Sequence, residues 1–255
     1  MTATVSHHKG EPGSDAVVAR RPSLPDLPAG YKAIIIGASG AIGAALVDAL
    51  RANAACAEVV PLARTTALPI DVEDEASIAA AAHALAGGAP FHLIFNATGA
   101  LHLGGVAPEK RLAELNAATL MRAFAVNAIA PALLIKHFTP LLPTAGRCLF
   151  ATLSARVGSI TDNRKGGWYG YRASKAAQNM LVKTAAIEVA RRRPDAVLAA
   201  LHPGTVASRL SAAVIGDAPA TAAADAAQQL LAVLGGLAPA QSGGLFAYDG
   251  SVIPW

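Results

Sequence analysis

The chain has 255 residues, 53% of them hydrophobic and 15% charged, with 21 Lys and Arg against 17 Asp and Glu, and a pI of about 9.3. That length suits one α/β domain with a sizeable core, and the sparse charge, without a basic run interleaved with aromatics, argues against a nucleic-acid surface. Cys56 and Cys148 are far apart and lack metal-ligand spacing, which argues against a disulfide framework or a metal site, and no uninterrupted apolar run reaches the roughly 18 residues of a membrane span.

Residues 1–30 carry Glu11, Asp15, Asp26 and four prolines and lack the apolar centre of a secretory signal. They read as a flexible extension ahead of a single domain over 31–255, with a reducing cytosol as the simplest home. The modest positive balance suits an anionic ligand such as a phosphorylated cofactor, and equally the Ala-rich composition of a GC-rich genome.

The apolar run Lys32 to Ile36 stops at Gly37-Ala38-Ser39-Gly40-Ala41-Ile42-Gly43 and gives way to a helical pattern through Leu50. Strand, glycine turn and helix in that order leave backbone N–H groups free at a helix N-terminus, where a pyrophosphate can sit. The spacing departs from G-x-G-x-x-G, so the turn alone also suits an ordinary βα connection. The second strand, Glu58 to Ala63, ends without the acid that would hold an adenosine ribose 2′-hydroxyl. Arg64 follows at once, and a guanidinium in that place favours a 2′-phosphate, hence NADP(H) over NAD(H).

A short third strand, Ala67 to Ile70, meets Asp71-Val72, and Glu73 to Leu85 reads as a helix with acids in its first turn. Phe91 to Phe95 is the fourth strand, ending in Asn96-Ala97-Thr98-Gly99. A long helical pattern over Pro108 to Leu142 contains Asn127, and Pro131 should kink or break it near there. Arg147 to Leu153 is the fifth strand, ending at Ser154; Ala155 to Gly167 then forms a loop over the site. Ala196 to Leu201 is the sixth strand, closed by His202-Pro203-Gly204-Thr205-Val206-Ala207-Ser208; a helix over Thr221 to Leu234 and a last strand, Gly243 to Tyr248, complete the chain. The alternation predicts a single doubly wound parallel sheet of about seven strands with helices on both faces and a ligand site beyond the strands' carboxyl ends.

Gly167-Trp168-Tyr169-Gly170-Tyr171-Arg172-Ala173-Ser174-Lys175 opens a helix that runs to Arg193, with Gln178, Asn179, Lys183 and Glu188 set among apolar positions. Tyr171 and Lys175, at i and i+4, share a helix face. A phenol of pKa about 10 exchanges protons poorly at neutral pH unless a cation stabilises the phenolate, and the Lys175 ammonium is placed to do so. On its own the pair also suits a solvated helix face. Tyr169 has Ala173 at i+4 and no cation, so it reads as a pocket or loop residue.

Taken in order, Gly37-Ala-Ser-Gly-Ala-Ile-Gly43, Asp71-Val72, Asn96-Ala-Thr-Gly99, Asn127, Ser154, Tyr171-x-x-x-Lys175 and Pro203-Gly204 resemble the short-chain dehydrogenase/reductase family from Lys32 to the C-terminus. The stretch Ser154 to Ile160, Asp162-Asn163-Arg164, Gly167 to Lys175, His202 to Val206 and the terminal Pro254-Trp255 look most like its C-factor-like branch. The resemblance implies a Rossmann-type fold, hydride transfer between NADP(H) and a carbonyl or alcohol, and a homodimer or homotetramer. It makes Tyr171 the proton donor or acceptor, Lys175 the holder of the nicotinamide ribose, Ser154 the donor to the substrate oxygen and Asn127 the holder of a water. Gly37, Ser39, Gly40, Ile42, Gly43 and Arg64 would line the cofactor phosphates, Asp71 and Val72 its adenine, Asn96 and Gly99 its riboses, and Pro203, Gly204, Thr205, Val206 and Ser208 the nicotinamide end. Ala41 and Ala97 depart from the family pattern, and Ser154 stands 17 positions before Tyr171, farther than is usual; Ser159 has the more usual spacing.

Two other classes fit parts of the chain. Gly37-Ala38-Ser39-Gly40-Ala41 approximates a hydrolase nucleophile elbow, with Ser39 as nucleophile and His202 as a possible partner. A C-factor-type signalling protein would keep the nucleotide site with little turnover. The loops Leu101 to Pro108, Ala155 to Gly167 and Ser208 to Asp217 are the expected pocket walls, and their composition favours an apolar carbonyl compound.

Overall fold

In the computed structural model, residues 24, 26–208 and 220–255 are described. Most of the expected extension, and residues 209–217 of one expected pocket wall, lie outside them. The described chain runs β1 (Tyr31–Ile36), α1 (Ala41–Arg51), β2 (Cys56–Leu62), α2 (Glu75–Ala84), β3 (Leu93–Asn96), α3 (Ala117–Phe124), a π-helical turn (Ala125–Ile129), α4 (Ala130–Phe138), β4 (Cys148–Leu153), α5 (Tyr169–Ala190), β5 (Ala196–His202), α6 (Ala223–Gly236) and β6 (Leu245–Ala247).

The strands form one sheet in the order β2-β1-β3-β4-β5-β6, and every pairing is parallel. The apolar runs of β1, β3, β4 and β5 are buried on both sides, as a sheet covered on both faces requires. Alternate residues separate into two layers. Ala33, Ile35, Phe95, Leu149, Ala151 and Leu201 meet Leu46 and Leu50 of α1 and Leu230, Leu231 and Leu234 of α6. Ile34, Ile36, Ile94, Phe150 and Leu198 meet Ile78 of α2, Leu134 and Phe138 of α4 and Val182 of α5. Each such Leu or Phe, fully buried, is worth about 1.5–3 kcal/mol.

The sequence predicts a third strand over Ala67 to Ile70; the structure reduces it to a single bridge between Ala63 and Pro69, leaving six strands among the described residues. Two features prevent a longer ladder. Pro69 has no N–H to give, and the Thr66 hydroxyl takes the Ala63 N–H and bonds the Ala63 and Leu68 carbonyls instead. At the other end, Leu24 and Leu27, placed by the sequence in the extension, are buried against the α1 and α6 layer, so packing begins before residue 31.

Pro131 lacks the N–H that would close an α-turn onto the Asn127 carbonyl, and the helix widens into its π turn there. The continuous helical stretch Ala117–Leu141 has 25 residues and contains an 18-residue window with a mean hydropathy of 1.7, long and apolar enough by those measures to cross a membrane. The sequence expectation of no such segment rests on every candidate run being interrupted by Gly, Pro or charge. Here the buried Val126, Ala128, Leu134, Ile135 and Phe138 supply much of that apolarity as core.

Because β2 and β3 lie on opposite sides of β1, the chain reverses its winding direction at the β1–β3 boundary. Crevices outside the carboxyl ends of strands at such a point accept ligands, and the residues singled out in the sequence cluster along that edge.

Candidate functional site

The glycine turn joins β1 to α1. Gly37 takes a left-handed φ of 83°, and its N–H and that of Ala38 bond the Leu62 carbonyl at the end of β2. A Cβ on Gly37 would stand 3.0 Å from Thr98 Cγ2, and one on Gly43 only 2.1 Å from the Gly37 carbonyl oxygen. Both glycines are therefore required by close backbone approach. α1 starts at Gly40 without a side-chain cap. Its first-turn N–H groups and the positive end of its dipole face the crevice. Ser39 is exposed and Ile42 half-buried beside them.

Arg64, exposed just past β2, forms no ion pair among the described residues, and the turn's bonds to Leu62 bring it beside Gly37. Asp71 spends Oδ1 on the Glu73 N–H in the turn before α2, and Val72 packs partly buried against the core. The α1 edge thus presents the helix's first-turn amides at one end and, among the described residues, a guanidinium without an ion-pair partner at the other.

Beyond β3 and β4 lies a buried polar layer. Asn96, fully buried, accepts from the Thr98 N–H and hydroxyl through Oδ1 and donates to Thr152 Oγ1 at 3.0 Å. Gln178 Nε2 also donates to Thr152 Oγ1, at 2.8 Å, and to the Leu153 carbonyl at 3.0 Å. Lys175 Nζ, 2% exposed as a residue, donates to Gln178 Oε1 at 2.8 Å and to the Leu153 carbonyl at 2.9 Å. Burial pulls its ammonium down from 10.5 to about 7, and the two acceptors oppose that fall by favouring the charged form. Two of its three N–H groups are taken, leaving one for a ligand.

Asn127, also fully buried, grips Ala100 at both ends: Oδ1 accepts the Ala100 N–H at 2.9 Å and Nδ2 donates to the Ala100 carbonyl at 2.8 Å. The side chain thereby fixes the loop leaving β3. A Cβ on Gly99 would lie 3.4 Å from Lys175 Nζ and 3.6 Å from Asn127 Oδ1, so Asn96, Gly99, Asn127 and Lys175 converge.

Tyr171 stands in the first turn of α5, its ring 5.9 Å from Lys175 Nζ and edge-on to Trp168. Burial pushes its hydroxyl up to about 12. The expected lowering by Lys175 does not arise here: its ammonium is turned toward Leu153 and Gln178. Tyr171 lines a small cavity with the loop from Ala100 to Glu109, Thr119, Ala123, Asn127 and Gly170. The cavity holds about 20 Å³, room for little more than one water. The Leu101 to Pro108 wall is where the sequence predicts it; residues 155–167 do not line this cavity. Tyr169 is 36% exposed at the helix start, outside the cavity.

Ser154 and Ser159 both lie outside that lining. Cys148, Phe150, Thr152 and Ser154 alternate onto the α5 side of the sheet, and Ser154 Oγ donates to Asn179 Oδ1 at 2.7 Å. Ser159 Oγ accepts the Asp162 N–H at 3.0 Å. Pro203 and Gly204 follow β5; Gly204 takes a φ of 73°, and a Cβ there would strike the Tyr248 ring at 2.9 Å. Thr205, Val206 and Ser208 border residues 209–219, with the Thr205 carbonyl accepting the Thr221 N–H and Val206 bridging Thr221.

The hydrolase reading loses its partner. His202 ends β5, three strand spacings or about 14 Å across the sheet from β1, and no hydrogen bond links it to Ser39. Its ring is largely buried and held down at about 4 by burial first.

Sequence reasoning passed over four contributors. Gln178 and Asn179 were visible as polar residues among apolar ones on α5, a signal for buried partners that spacing alone does not identify. Thr152, inside an apolar strand, carried no signal. Glu109 acts across 61 residues through Gly170 and is illegible without the fold.

The comparisons with known proteins agree with this architecture. A family model described as enoyl-(acyl carrier protein) reductase matches residues 37–246. The chain is 34% identical over 145 residues to the C-signal protein of Myxococcus xanthus, covering 56% of this chain and 83% of that protein. It is 31% identical over 154 residues to a 1-hydroxy-2-glutathionyl-2-methyl-3-butene dehydrogenase of Rhodococcus sp. strain AD45, covering 60% and 66%. Among solved structures, NADPH-bound carbonyl reductase from chicken fatty liver superposes with a TM-score of 0.76 at 24% identity, covering 90% of this chain and all of that one. The carbonyl reductase Sniffer of D. melanogaster gives 0.74 at 22%, covering 89% and 99%; at such identities the likeness is one of fold. The long family match and the C-signal relative carry the assignment: the chain belongs to the short-chain dehydrogenase/reductase family of oxidoreductases.

Proposed function

We propose that the protein is an NADP(H)-dependent reductase of aldehydes or ketones, with Tyr171 as proton donor. The observation that carries this reading is the placement of Tyr171 and Lys175 one helical turn apart, the hydroxyl-bearing ring on a cavity wall and the lysine buried beneath it. This edge suits the cofactor: a Cβ-free cradle at Gly37 and Gly43, uncapped amides at α1, and Arg64 without an ion-pair partner among the described residues, in the place a 2′-phosphate would need it. Asp71, Val72, Asn96 and Gly99 would border its adenosine and ribose parts, and residues 203–208 its nicotinamide end. When bound, reduced nicotinamide supplies the hydride.

The chain's own part is proton transfer and positioning. Tyr171 gives its proton to the carbonyl oxygen as that oxygen gains charge. Lys175 has one N–H left to hold a cofactor ribose hydroxyl or approach the phenolate, and its charge stabilises that phenolate. Asn127 keeps the loop after β3 against the pair. Ser154 would assist by turning its hydroxyl from Asn179 to the substrate oxygen, a competing acceptor. Outward-facing Met121 and Ile129 on the long helical stretch, with Met180 and Ile187 on α5, leave apolar surface for the second copy of a homo-oligomer.

Two features favour turnover over a purely signalling role: both members of the Tyr171–Lys175 pair are present, and two hydrogen bonds hold the lysine in place with one N–H left for a ligand. A screen of aldehydes and ketones, with NADPH absorbance as the readout, tests the proposal. Consumption of NADPH with equimolar alcohol formation is the expected result; NADPH binding without turnover of any carbonyl would favour the signalling protein.

A further inference from the structure

The cavity wall beside Tyr171 is apolar except for Thr119, Asn127, Tyr171 itself and one carboxylate, Glu109. The Thr119 hydroxyl is taken by the Asn116 carbonyl and Asn127 by Ala100. Glu109 has no cationic partner among the described residues; the nearby Arg111 is paired with Glu114.

The carboxylate is nevertheless held in place. Its Oε2 accepts the Gly170 N–H at 3.1 Å, and its main-chain carbonyl accepts the Trp168 N–H. α5 has no side-chain cap of its own, so Glu109 supplies negative charge at that helix's positive end. Gly170 leaves it room: a Cβ there would stand 3.1 Å from Oε1. Trp168 adopts a left-handed φ of 52° where its N–H meets Glu109. Oε1 accepts from no group among the described residues.

We propose, building on the reductase reading above, that Glu109 sets the charge selectivity of the substrate site, admitting uncharged and cationic carbonyl compounds and rejecting anionic ones. In a small, largely apolar cavity a second negative charge is poorly screened. A substrate cation, by contrast, meets the free Oε1. Capping and selectivity are separable, because Gln at this position keeps an acceptor for Gly170 and loses only the charge.

The test uses the full-length protein, NADPH and three para-substituted benzaldehydes bearing methyl, trimethylammonio or carboxylate groups. Wild type should favour the cationic over the anionic aldehyde in kcat/KM by about tenfold or more, mainly through KM. Glu109→Gln should bring that ratio to within about twofold while lowering Tm only slightly, by the lost charge at the helix end; Glu109→Ala should lose the selectivity and lower Tm further, since the acceptor is lost too. An unchanged ratio in Glu109→Gln, or a wild type that takes both charged aldehydes equally, overturns the inference. If wild type reduces none of the three, the reductase reading fails for them. Their dissociation constants, measured by calorimetry on both proteins, then decide the inference by the same ratios.

Discussion

Lys175→Met removes a cation buried beneath the proposed site and should change how stability varies with pH. Burial lowers its pKa from 10.5 to about 7. Between those values the unfolded chain binds a proton that the folded chain gives up, so stability rises with pH. Below about 7 both states are protonated and the cost of burying the charge is fully present. From pH 7 to 9.5 the gain is at most roughly 3 kcal/mol at 1.36 kcal/mol per pH unit, reduced to the extent that the Leu153 and Gln178 acceptors hold the ammonium charged. Tyr171 acts in the opposite sense: its hydroxyl is pushed up to about 12, so stability falls above the ordinary phenol range near 10. Urea denaturation of wild type and Lys175→Met without cofactor, at several pH values across that interval, provides the assay. The difference between the two proteins cancels the other titrating groups, and wild type should gain stability relative to the variant as pH rises. A constant difference, or a relative loss, would refute the reasoning.

Two further substitutions probe the cofactor crevice. Gly43→Ala drives a Cβ to 2.1 Å from the Gly37 carbonyl oxygen; relieving that clash moves the turn and should cost about 1–3 kcal/mol and sharply weaken NADPH binding, read by Tm and by fluorescence titration. An unaltered Tm with unaltered affinity would show that the turn is not packed as described. Arg64→Ala should weaken NADPH binding by about tenfold or more, the scale of a lost charge-assisted contact, and leave NADH nearly unchanged; equal losses for both would remove the argument for the 2′-phosphate.

Much of this fold was legible because a parallel sheet leaves strong local marks. Apolar runs such as Ile34–Ile36, closed by Gly37, and Leu149–Leu153, closed by Ser154, announce buried strands with functional loops at their ends. The helical spacing of Tyr171 and Lys175 likewise survived into the structure. The missing strand over 67–70 was not legible, because its apolar residues conceal that Thr66 and Pro69 divert the ladder bonds. Nor could spacing show which way Lys175 and Ser154 turn. That is decided by Gln178 and Asn179, whose carboxamide oxygens accept from Lys175 Nζ and Ser154 Oγ across the α5–β4 contact. Glu109 lies farther still from local pattern, since its partner Gly170 comes from a different element.

The most direct test of the central claim is Tyr171→Phe, which removes the hydroxyl and keeps the ring against Trp168 and over the cavity. With a carbonyl substrate found by the screen, the account predicts that kcat falls by about 10²–10⁴-fold, the contribution of a positioned proton donor, while the NADPH dissociation constant stays within about twofold. Retained turnover in Tyr171→Phe, with NADPH binding intact, would contradict the assignment of Tyr171 as the proton donor.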